Sequence, residues 1–130
     1  TTLLGEPFLM LTADQSWQED VIENPSMVRA SGTWYLIYSG NHWDTDRYAT
    51  AYATCTTENG PCDSPSDPVL LAGTASTAGT GGAQVFRLGD GTLMVAWAAW
   101  DRGYVGLPNI RRLHIGTFAL EHGRPTITER

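Results

Sequence analysis

Lysine is absent from this sequence of 130 residues: all eight basic side chains are arginine, set against fourteen Asp and Glu, for a formal net charge of -6. Apart from Arg111-Arg112 no two basic residues are adjacent. A protein that grips a phosphate backbone needs a basic stripe, so nucleic acid is excluded as a partner. No apolar run reaches the roughly 18 residues that a membrane-crossing helix requires, which excludes a membrane role of that kind. Charged residues are few, at 17%, and no window carries a 3.6-residue apolar period, so long amphipathic helices are not expected. Cysteine is scarce too. With only Cys55 and Cys62, and no His pair at suitable spacing, a four-ligand zinc site is excluded. The first residue is Thr1, with neither a charged n-region nor an apolar h-region behind it. That start is expected of a chain whose leader has been removed, or of an internal piece.

What is plentiful is turn-forming residue, Gly 14 and Pro 7, between short apolar runs. Leu3 to Leu11 reads as a first strand. Met27 to Ala30 is a second, closed by Ser31-Gly32, and Trp34 to Ser39 a third, apolar on both faces as a strand between two layers should be. Tyr48 to Cys55 alternates strictly, with Tyr and Thr on one face and Ala and Cys on the other. Pro68 to Leu71 completes a set of four after Met27. The pattern then restarts: Ala83 to Leu88, a turn at Gly89-Asp90-Gly91, Leu93 to Trp97, Ile110 to Phe118, and a short Pro125 to Thr128. Met27 to Leu36 aligns with Val85 to Val95, with one extra residue in the second turn. A four-stranded unit repeating at roughly 50–60 residues is the mark of a propeller blade. The expected class is all-β: two four-stranded blades plus one extra N-terminal strand, an incomplete part of a β-propeller. Residues 1–20 are assigned to the outer strand of a preceding blade and a linker, 21–74 to one blade and 75–130 to the next. A sandwich of about nine strands is the alternative, though a sandwich requires no internal repeat. Two blades cannot close a ring, which takes about four to eight. Further blades on another chain, or self-association of several copies, are therefore expected.

Cys55 and Cys62 bracket Thr56-Thr57-Glu58-Asn59-Gly60-Pro61, a short loop that can bring its ends within disulfide reach. Two free buried thiols are the other reading. A disulfide implies an oxidising compartment, so a secreted, extracellular protein is expected.

The stretch Trp17 to Val28 resembles the segment around the catalytic acid in glycoside hydrolase family 43 and its relatives, five-bladed propellers acting on arabinans and xylans. In that family a Glu, then a small residue and Pro, opens the inner strand of a blade; here these are Glu23, Asn24 (where Gly is commoner) and Pro25. Gly32 to Asn41 is similar to the family's G-x-Y-Y-L-x-Y-S strand, and Tyr52 to Cys62 to its blade ending, Cys pair included. Gly79 to Val85, and Ala99-Trp100-Asp101 through Pro108 to His114, resemble its last blade. The likeness runs from about Leu4 to Ile127.

The resemblance implies an inverting glycosidase of the arabinanase, arabinofuranosidase or xylosidase type, of which this is the C-terminal portion. Glu23 would be the general acid. Its leaving-group proton must be held near neutral pH, which the mouth of an apolar, Trp-lined funnel favours by disfavouring the anion. Taken alone, Glu23 is equally a surface Glu before a turn. The family's base Asp and second Asp belong to blades outside this sequence, and Asp14 and Asp20 are off its pattern, so the chain alone is expected to be inactive. Arg111 corresponds to an Arg offered to the bound sugar; Asn24 is assigned to the substrate as well. Trp43, in a loop, and Trp100, at a strand end, are candidate sugar platforms, whereas Trp34 and Trp97, on strands, read as core. Some relatives hold a central calcium ion through a His that here is Gly82, and a second frequent His is here Ala98. His42, His114 and His122 do not replace them, so no cofactor or metal is assigned. The alternative function is a carbohydrate-binding propeller without catalysis, assembled from several copies of this short chain.

Overall fold

The computed structural model describes residues 5–130. Among the described residues nine strands build two antiparallel meanders. The first contains β1 (Ile22–Ala30), β2 (Thr33–Gly40) and β3 (Ala49–Cys55), whose outer side carries two short strands, β4 (Cys62–Asp63) and β5 (Val69–Leu71). The second runs in simple order through β6 (Thr77–Arg87), β7 (Leu93–Asp101), β8 (Arg111–Glu121) and β9 (Arg124–Glu129). A 3-10 turn, Ser16–Gln18, precedes β1.

The extra residue between the repeats is visible in their hairpins. In the first, Ala30 pairs with Thr33 across a two-residue turn in which Ser31 and Gly32 both have positive φ, 48° and 84°. That conformation follows the right-handed twist of the strands. In the second, the Leu88 N–H donates to the Thr92 carbonyl across three residues, with Gly91 at φ 91°. This is the three-residue loop whose last position needs a left-handed residue.

The two sheets pack face to face. Val28, Tyr35, Ile37 and Tyr52 of the first meet Ala83, Val95, Trp97 and Phe118 of the second. Period-two alternation sends the intervening residues the other way. Leu36, Tyr38, Ala51, Ala53 and Cys55 form a second cluster on the far face of the first sheet, roofed by Leu11 and Trp17. Burial on both faces is why Tyr35 to Gly40 is buried throughout, as its run of apolar residues on both faces predicts; the polar Ser39 side chain accepts from the Gly82 N–H. Each such Leu or Ile contributes about 1.5–3 kcal/mol by leaving water. Cys55 and Cys62 are disulfide-bonded and pair with each other across β3 and β4.

One expected element differs. Of the strand anticipated over Leu3 to Leu11, Leu3 and Leu4 lie outside the described residues, and residues 5–14 form no strand. A strand needs a ladder, and the edge this segment meets, β4, is two residues long. A single bond from the Cys62 N–H to the Met10 carbonyl, 2.9 Å, ties it there. The segment lies over the first sheet instead, Leu11 inward and Phe8 and Leu9 exposed. The fifth strand of that sheet comes from the division of its outer strand into β4 and β5.

Candidate active site

Six strand ends meet at one edge of the molecule: the starts of β1, β3, β6 and β8 and the ends of β2 and β7, as the pairings Ile22 with Gly40, Gly40 with Ala49, Thr77 with Asp101 and Trp100 with Arg111 require. The β2–β3 loop bridges the sheets there. Its Asp46 carbonyl accepts from the Gly79 N–H (3.2 Å), and its Trp43 carbonyl accepts from the Trp100 indole (3.0 Å).

Glu23 stands on this edge, opposite Ser39. The register slips between Glu23 and Ser26, so that Asn24 and Pro25 together face one residue of β2. Such a bulge bends the strand and re-aims its side chains. Asn24 takes the left-handed conformation it needs (φ 54°), which Asn tolerates better than most residues. Pro25 has no N–H to leave unpaired.

Behind the exposed Glu23 lies Tyr48, only 2% exposed. Its hydroxyl donates to Glu23 Oε1 at 2.7 Å and accepts from the Asn24 amide nitrogen at 2.8 Å. Burial pushes the Tyr48 phenol above its ordinary range, while hydrogen bonding from Ser39 opposes the shift. The ring passes so close to β6 that a Cβ on Gly81 would lie 2.0 Å from its Cε1 carbon. Only glycine admits this approach.

Arg111 covers the other side of the ring. Its guanidinium carbon is 5.2 Å from the Tyr48 centroid and 5.3 Å from that of Trp100. It donates to the carbonyls of Trp43 (2.9 Å), Gly79 (2.7 Å) and Ala98 (2.6 Å). Desolvation lowers its pKa, and the nearby Tyr48 and Glu23 act in the opposite direction. Arg111 is thus a clamp on three backbone segments. Its link to the carboxylate runs through the Tyr48 ring.

The tryptophans divide. Trp43 and Trp100 stack at 6.0 Å and 25°. Trp43 is 45% exposed, but Trp100 is 2% exposed, so the open ring is Trp43's and Trp100 acts as its backing. Asn24, assigned to substrate, spends its amide on Tyr48. Gly82 brings no side chain to this edge, and among the described residues no three His, Cys, Asp or Glu converge.

Tyr48, Ser39 and Gly81 were not legible as site residues. The Gly-rich run 79–82 was the available signal, since glycine inside a strand often marks close approach by another chain segment.

The fold has known counterparts. No family model matches the chain. A solved endo-1,4-β-xylanase from Bacteroides thetaiotaomicron is 34% identical and superposes with a TM-score of 0.78, over 91% of this chain and 42% of that one. A thermostable family-43 glycoside hydrolase is 24% identical with a TM-score of 0.85, over 98% of this chain and 43% of that one. Its relatives are family-43-like five-bladed propellers. A β-D-galactofuranosidase from Aspergillus niger is 29% identical over 85 residues, which make 64% of this chain and 25% of that protein. The chain therefore spans a quarter to two fifths of the relatives it matches. Two sheets of a five-bladed ring are two fifths of it, and the solved structures agree. Family-43-like propellers are glycosidases, and this chain is homologous to part of them.

Proposed function

We propose that this chain supplies the general-acid portion of an inverting glycoside hydrolase that cleaves arabinofuranosyl or xylosyl linkages in plant-type polysaccharide. The remaining blades come from polypeptide outside this sequence, and with them the base and the second Asp. The observation that carries the reading is the bulged start of β1, which presents Glu23 at the common edge with one oxygen held by Tyr48 and the other open. Glu23 passes its proton to the glycosidic oxygen as the bond to the anomeric carbon breaks. A water on the opposite face attacks that carbon and gives its proton to the base carboxylate, and the products are two free hydroxyl groups. Trp43 offers its exposed ring to the apolar face of a sugar. The disulfide supports an extracellular location.

The test is hydrolysis of arabinofuranosides and xylosides with unactivated leaving groups by the assembled protein. Glu23→Gln is expected to cost about 10²–10⁴-fold in kcat. Unchanged turnover removes Glu23 from the mechanism.

A ring of identical copies that holds sugars without cutting them is the second reading. In that reading a second copy covers the apolar residues left bare on the second sheet, Leu113 and Ile115. A native mass that is a multiple of the 14.2 kDa chain supports it, whereas an unequal partner polypeptide supports the enzyme.

A further inference from the structure

We propose that Tyr48 is a positioning residue that decides which oxygen of Glu23 delivers the proton, and that Asn24 sets the direction of the Tyr48 O–H. This rests on Glu23 being the general acid.

A phenol has one proton and an oxygen able to accept. The Asn24 amide nitrogen, 2.8 Å from that oxygen, can only donate, so at this contact Tyr48 accepts. Its single proton is then committed to Glu23 Oε1, 2.7 Å away. Oε1 can accept that bond in both protonation states of the carboxyl, so the exchangeable proton resides on Oε2. When Oε2 protonates the glycosidic oxygen and the C–O bond breaks, the carboxylate left behind keeps the Tyr48 O–H as a donor. That bond is stronger to the anion than to the neutral acid, so it stabilises the charge that appears at this moment.

The pair is held by four strands. Asn24 sits on the β1 bulge, Tyr48 immediately before β3, Gly81 on β6 against the ring, and Arg111 at the start of β8 over its face. Arg111 is in turn fixed by three carbonyls. A ring so confined cannot swing to follow a drifting carboxyl, so the carboxyl must conform to it. Burial, which keeps the phenol protonated, acts in the same sense.

The experiment compares two leaving-group classes in the assembled enzyme. Strongly acidic phenols depart without protonation; alcohols and sugars need the acid. Tyr48→Phe is expected to lower kcat about tenfold or more on alcohol leaving groups and less than about twofold on acidic phenols, with KM within about twofold for both. Asn24→Asp is the second variant, at an exposed position that tolerates the same φ. Its carboxylate accepts the phenol's proton and draws it from Glu23, and the same selective loss is expected in a protein whose core is untouched. Equal losses on both substrate classes, or no loss in either variant, overturn the role of Tyr48. Glu23→Gln, measured alongside, separates the two readings. If it keeps turnover of alcohol leaving groups, the acid assignment itself has failed. If it loses that turnover while Tyr48→Phe and Asn24→Asp keep theirs, only the Tyr48 inference has failed.

Discussion

The two sheets share a meander and a repeat, yet they treat their outward faces in opposite ways. The first roofs itself: Leu11 and Trp17 cover Leu36, Tyr38, Ala51 and Ala53. The second leaves its far face bare. His114 stacks on Trp97 within the inter-sheet side, so its neighbours Leu113 and Ile115 point the other way, 72% and 43% exposed. A repeat in sequence therefore does not mean equivalence in packing. One unit carries its own cover, and the other presents an apolar face of the kind that marks a contact with further protein.

The sharpest way to break that contrast is to strip the cover. The Trp17 ring lies where a Cβ on Gly40 would come within 2.5 Å of it, and its indole nitrogen donates to Gln15. Trp17→Ala is expected to cost about 3 kcal/mol in urea unfolding, because it opens a cavity over an otherwise continuous cluster. A loss below about 0.5 kcal/mol means that the segment before β1 is not part of the folded unit.

Alkaline pH probes the same asymmetry. Tyr38 and Tyr48 both belong to the first blade, and burial pushes both phenols up. Their folded values lie above the unfolded value near pH 10. The stability they contribute is complete below that point and is lost as pH rises through it toward the folded values, at most about 1.4 kcal/mol per pH unit for each group. Phenolate absorbance should therefore rise together with loss of β-structure. Tyr38→Phe should reduce the steepness of the loss, and an unaltered slope removes Tyr38 as a contributor.

How far the sequence discloses all this depends on the range of each interaction. Alternation in 48–55 and the doubly apolar run 34–39 are local, and both faces of the first sheet follow from them. The extra turn residue and the disulfide are local as well. The strand anticipated over Leu3 to Leu11 fails because an apolar run does not reveal how long its pairing edge is. The start of β6 is a similar case. It was expected at Ala83 but begins at Thr77: the run Gly79 to Gly82 spans two register shifts, with only Gly81 paired between them, and lets Tyr48 approach. Glu23 was found through a linear motif. Tyr48, 25 residues away along the chain, is tied to it by a bulge and by a contact from the other sheet, and neither has a sequence signature.

The smallest expected effect on folding carries the most about assembly. Leu113→Glu combined with Ile115→Glu places charges on a face that is already in water, so urea unfolding of the isolated chain should change by less than about 0.5 kcal/mol. Both positions lie opposite the shared core, and neither touches Glu23, Tyr48 or Arg111. If that face receives another blade, whether from a partner polypeptide or from a second copy, two buried carboxylates there would prevent docking, because an unpaired charge removed from water costs several kcal/mol. Sedimentation of the assembled protein reads this directly: loss of the complex with an unchanged monomer fold is expected. A complex that survives both charges means that the bare face stays in solvent, and the two sheets are then not neighbouring blades of a closed ring.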